Sequence, residues 1–165
     1  MAKIDRNVLK EIEVYERRLA ALAEGRKAII GHVVYEGAKI AADAIFEGVK
    51  KIPVRTGKAF GTPEKPVEGI TLPAKQGLIE GFGISSLQED NGFLNVKIGF
   101  DGYNSVKTEK FPKGQPNQLV MRAVESGTSW MKSHPTIRPA LNRARAAVIK
   151  KMAETTDEQI KQKMK

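Results

Sequence analysis

The sequence has no cysteine. Disulfides, thiolate zinc sites, iron–sulfur clusters and a cysteine nucleophile are excluded at once. Histidine is nearly as scarce, with only His32 and His134. A metal site needs several ligands at workable spacing, and neither histidine has such company. Aromatic residues make up 6% of the chain, so little is available for base-stacking platforms or aromatic cages. No apolar run approaches the roughly 20 residues needed to cross a bilayer. The opening Met-Ala-Lys-Ile-Asp-Arg has no apolar leader region, and a reducing, soluble compartment is expected. Gly81-Phe82-Gly83 lacks the later glycines and the Lys-Ser or Lys-Thr ending of a phosphate-binding loop. The carboxylate pairs Glu11/Glu13 and Glu89/Asp90 read as a helix surface and a turn rather than as acid–base machinery. No cofactor, metal or catalytic group is expected.

Positive charge is present in excess. The 165 residues carry 28 Lys and Arg against 19 Asp and Glu, a formal charge of +9. Residues 1–58 hold +4, residues 59–131 hold −1 and residues 132–165 hold +6. The surplus lies in the two end regions, where solvated helix faces explain it and contact with phosphates is the alternative.

The pattern along the chain predicts an α+β fold: a small antiparallel hairpin sheet packed against a long N-terminal helix and a C-terminal helix. Asp5 is a good N-cap, and Val8, Ile12, Tyr15, Leu19 and Leu22 recur at helical spacing up to Gly25, which could end or bend the helix. Ile30, Val34, Ala38, Ala41, Ile45 and Val49 continue the pattern to Pro53. Gly31, Gly37 and Gly48 weaken this stretch and admit a close neighbour. Residues 53–77 read as a long Pro/Gly loop. Strands are expected over 78–87 and 93–100, joined by Asn91-Gly92, a strong hairpin signal. Phe93 and Lys97 share a strand face that could stack bases, or Phe93 could belong to a second core layer. A second loop covers 101–117, and a short helix from Asn117 to Glu125 ends at Gly127. Pro139 suits the first turn of a last helix whose apolar face is Leu141, Ala144, Val148 and Met152. The expected domain is 1–153, with 154–165 as a basic tail or frayed helix end.

Three stretches carry a resemblance. They are Pro53-Val54-Arg55-Thr56-Gly57, then Val124-Glu125-Ser126-Gly127-Thr128, then Pro135-Thr136-Ile137-Arg138-Pro139-Ala140. In this order around a hairpin they resemble the tail-component, or neck, proteins of long-tailed double-stranded DNA phages, the gene-product-ten-like family of lambdoid phages. The resemblance spans about residues 10–152. Ser126 and Thr136 replace aromatic residues usual in the family. The resemblance implies a non-enzymatic virion protein at the head–tail junction, assembled in the bacterial host cytoplasm. It implies a ring of six, or of twelve, subunits that joins the capsid connector to the tail tube beside other neck and tail proteins, with no membrane partner. Arg55, Thr56, Gly57, Glu125, Gly127, Thr128, Pro135, Arg138 and Pro139 are then the assembly or structural residues. Gly57 is expected at positive φ, and Arg55 is expected to pair with a carboxylate, Glu125 being the candidate, across the sheet or the subunit boundary. Arg143, Arg145, Lys150 and Lys151 are candidate contacts to packaged DNA or to a partner. A basic, sequence-independent DNA-binding accessory protein is the alternative.

Overall fold

The computed structural model describes residues 6–57 and 61–165, with residues 6–9 by their backbone alone. The N-cap expected at Asp5 and the contacts of Val8 lie outside the described residues. One continuous helix, α1 (Arg6–Lys50), replaces the two patterns read on either side of Gly25. The apolar spacing never breaks phase there, and a single helical glycine costs only about 1 kcal/mol. The last helix, α4 (Ile137–Lys163), runs back along α1. A Cβ placed on Gly48 would meet Thr136, one on Gly37 would meet Met152, and one on Gly25 would meet Lys163, so the two helices are antiparallel. Gly37 and Gly48 thus seat side chains of the same chain, while Gly31 seats Leu87 of the sheet region. Residues 154–163 continue α4 instead of forming a tail, and Thr155 is buried.

Between these helices come α2 (Leu72–Glu80), four short strands and α3 (Asn117–Ser126). The strands are β1 (Phe82–Ile84), β2 (Gln88–Asp90), β3 (Phe93–Asn95) and β4 (Ile98–Phe100). They form one hairpin with a flaw in its ladder. At the tip β2 pairs with β3, and Asn91 and Gly92 make the turn at φ 51° and 82°, as the sequence predicts. At the base β1 pairs with β4. The pairing Gln88↔Asn95 and Ile84↔Ile98 leaves three residues on one side opposite two on the other. That one-residue bulge divides the strand expected over 93–100, while the one expected over 78–87 is corrected: 78–80 end helix α2, only β1 lies within it, and β2 follows it. Ser85 spans it, its N–H donating to the Lys97 carbonyl (2.8 Å) and its hydroxyl accepting from the Lys97 N–H (2.9 Å).

Phe46 of α1 stacks on Phe82 of β1 with centroids 5.5 Å apart, and Phe82 tilts onto Phe100 at 5.2 Å. The N-terminal helix therefore covers the greasy face of the hairpin, as expected. Ile45, Val49, Ile52, Ile70, Leu78, Phe100, Met121, Val124 and Met131 continue this core. Its centre sits on the last turns of α1, far from the beginning of that helix.

The Pro/Gly stretch is shorter than 53–77, because Leu72-Pro73-Ala74 opens α2 with proline in the first turn. The rest is tied to its own chain. The Arg55 N–H donates to Ile70 O (2.9 Å) and the Ile70 N–H to Pro53 O (3.0 Å). The Val67 N–H donates to Trp130 O, and the Lys132 N–H returns to Val67 O. Gly69 allows the first of these crossings. Its φ is +77°, and an added Cβ would stand 2.3 Å from Pro53 O.

Candidate functional site

The residues of the second and third motif stretches meet in one joint. An α-helix begins with orphan N–H groups that need acceptors. At the start of α4 the side chain of Thr136 makes no cap. The carboxylate of Glu125, near the end of α3, does so instead. Oε2 accepts from the Thr136 N–H (2.6 Å) and the Ile137 N–H (2.8 Å), and Oε1 accepts from the Arg138 N–H (3.0 Å). The next residue is Pro139, which has no N–H to satisfy. One carboxylate and one proline therefore settle the whole helix start. Gly127 (φ 72°) closes α3 with its N–H on Ala123 O, and the His134 N–H donates to Val124 O (2.7 Å). Thr128 begins a turn that closes on Met131. Partial burial pushes the Glu125 carboxyl up. The three backbone donors and the Arg138 charge outweigh that and hold it below its ordinary value.

Within the chain the Glu125 carboxylate is committed to the start of α4; a pair with Arg55 across a subunit boundary is not tested by a single copy. Arg55 is half-buried and lines an apolar cavity of about 190 Å3 with Ile70, Val120, Trp130 and Met131. Gly57 is corrected. It is exposed, has no positive φ and, among the described residues, has no neighbour within 4 Å of an added Cβ, so none of them requires glycine there. Thr56 beside it is exposed, as are Pro135 and Arg138.

Of the four candidate cationic contacts, Arg143, Arg145 and Lys150 are exposed. Lys151 is half-buried towards α1, where its charge acts on Glu36. The apolar face read for α4 is off by one residue at its start. Ala140 is 1% exposed and Leu141 is 40% exposed, a 100° error on a helix. His32 is exposed and His134 half-buried. Among the described residues no group of His, Asp and Glu could hold a metal ion. Phe93, 76% exposed beside the hairpin turn, is not a core residue.

Two features escape the sequence reading. Asn117, buried, donates its Nδ2 to Gly77 O (2.8 Å) and Asp101 O (2.7 Å), locking α2, the strand exit and α3 together. Its only signal was an Asn directly after Pro116 at a helix start. The second is the beginning of α1. Ile12, Tyr15 and Leu19, read as one helix face, are exposed among the described residues; Tyr15 is 56% exposed. From Lys10 to Ala21 every residue but Arg18 is exposed. This arm extends the seam that α4 covers farther along, beyond the place where α4 stops beside Gly25. No family model matches the chain, and no match was found among curated proteins or solved structures.

Proposed function

We propose that this chain is a non-enzymatic structural protein of a long-tailed double-stranded DNA phage or prophage. In this reading it acts at the head–tail junction, as a neck or tail-completion protein, by closing into a ring of six or twelve copies between capsid connector and tail tube. The observation that carries the assembly part of the reading is the uncovered arm of α1. A helix with an apolar stripe and no partner leaves an interaction surface in water. The phage part rests on the three motif stretches. Two of them form a single capped joint, which gives Glu125, Gly127, Thr128, Pro135, Arg138 and Pro139 a fold role that assembly would use as its frame. Light scattering across concentration tests the proposal. A mass of six or twelve chains supports it, and a chain that stays monomeric alone and beside neck and tail partners refutes it.

The exposed row of Arg143, Arg145 and Lys150 on α4 favours a second reading, sequence-independent DNA binding. Affinity for duplex DNA that falls steeply with salt would support it, because neutralised phosphates release counterions.

A further inference from the structure

The uncovered arm has a complementary surface on the same molecule. The arm's stripe is Ile12, Tyr15 and Leu19, running on into half-buried Leu22, at alternating three- and four-residue steps, the spacing of a helix-pairing seam. On the far side of α4, turned from α1, Ala146, Ile149, Ala153 and Ile160 form a second stripe with the same stepping through Thr156. It is also uncovered, with Ile149 58% exposed. The arm presents large side chains and the α4 stripe mostly small ones, so knobs on one meet hollows on the other.

The charges beside the two stripes match in position and oppose in sign. Around the arm stand Glu11-Ile12 and Tyr15-Glu16; around the α4 stripe stand Arg145-Ala146 and Ile149-Lys150. Each pattern places one charge at either edge of the stripe, with the two apolar positions three residues apart. At this turn the arm is acidic on both edges and α4 basic on both; seven residues on, Arg18 beside Leu19 and Asp157 beside Thr156 reverse the sign on one edge of each. Two arms laid stripe to stripe would instead bring acidic edges together, which costs energy. Among the described residues Glu11 and Glu16 make no ion pair, and Lys150 gives up only an exposed contact to Glu154 at 3.8 Å.

We infer that the arm of one copy docks on the outer face of α4 of the next copy. The two surfaces lie far apart on one chain. Gly37 faces Met152, so Ile149 lies beside residue 40 or so of α1, about 30 Å along the helix from Leu19. A chain cannot satisfy its own arm. The contact is head-to-tail, and such a contact closes into a ring or grows into a filament. It rests on the assembly reading above and names the surfaces that reading needs.

The absence of cysteine makes the test clean. Leu19→Cys and Ile149→Cys, both on exposed positions, are prepared as separate proteins and treated with a short bifunctional maleimide, alone and mixed. Cross-linked dimer is expected only in the mixture. It should vanish when the Ile149→Cys protein also carries Arg145→Glu and Lys150→Glu, and return when the Leu19→Cys protein carries Glu11→Lys and Glu16→Lys. Dimer from Leu19→Cys alone would overturn the inference in favour of arm–arm pairing. Oligomers by light scattering without the mixed cross-link would overturn this interface while leaving assembly standing. Neither oligomer nor cross-link would overturn this interface, and the assembly reading with it if the chain also stays monomeric beside neck and tail partners.

Discussion

Replacing Glu125 by Ala should loosen the start of α4 without touching the apolar core. Three backbone donors lose their acceptor together. A single side-chain cap contributes about 1 kcal/mol, and a hydrogen bond to a charged group about 1.5–3 kcal/mol. These contributions overlap, so they do not add threefold. Water can reach the Arg138 N–H, whose residue is exposed, but not readily that of buried Thr136. A loss of about 2–3 kcal/mol follows. For a chain of this size that lowers the thermal midpoint by roughly 4–12 °C. Glu125→Gln should fall between, since it keeps one acceptor oxygen and loses the charge that favours a helix N-terminus. Acid should erase the difference. The folded carboxyl sits below its ordinary value, so its contribution is fully present above the unfolded-chain value and is lost as pH falls through the folded one. Thermal melts of wild type and both variants from neutral to acidic pH measure this. A Glu125→Ala loss under about 0.5 kcal/mol, the range of an ordinary surface change, would refute the capping argument.

Other outcomes follow from the same geometry. Gly69→Ala should destabilise by more than about 1 kcal/mol, because its φ is positive and Pro53 O blocks the new methyl, whereas Gly57→Ala should stay within about 0.5 kcal/mol; chemical denaturation compares the pair. Asn117→Asp removes the donor to two carbonyls in a buried place, and a loss of at least about 2 kcal/mol is expected on urea unfolding. Leu141→Ala should cost far less than Met121→Ala, for which about 2–5 kcal/mol is expected of a fully buried methionine.

The sequence was most legible where a residue type dictates backbone geometry. Asn91-Gly92 forms the hairpin turn, Gly127 ends α3, and Pro139 stands in the first turn of α4. Each of these is a local rule that distant contacts do not override. Helix α2 was hidden because Pro73 and Gly77 read as loop punctuation. Proline is harmless in a first turn, and Gly77 is there because Asn104 and Asn117 press against it, a long-range fact. The bulge leaves no mark in the alternation of Leu94, Val96, Ile98 and Phe100, because its extra residue lies on the opposite side of the hairpin, among residues 85–87. Of the site, the residues of the joint were visible but not the partner of Glu125. A carboxylate near Arg55 in a motif suggests an ion pair, yet a helix start eleven residues on offered three donors. The uncovered arm was invisible for a simpler reason. Periodicity shows that a helix has an apolar side, not whether anything lies against it.

The single span of α1 also has a mechanical consequence. Its 45 residues measure about 67 Å, and it is buried from Val49 back to Ile29, with α4 beside it as far as Gly25. From Gly25 to Ile12 is about 20 Å of helix. A tilt of about 10° where α4 ends therefore swings the tip by roughly 3.5 Å, close to the width of a side chain. The seat of Lys163 against Gly25 stands at the fulcrum of this lever. Packing changes too small to alter stability there would still move the far end of the molecule by a distance that another protein would register.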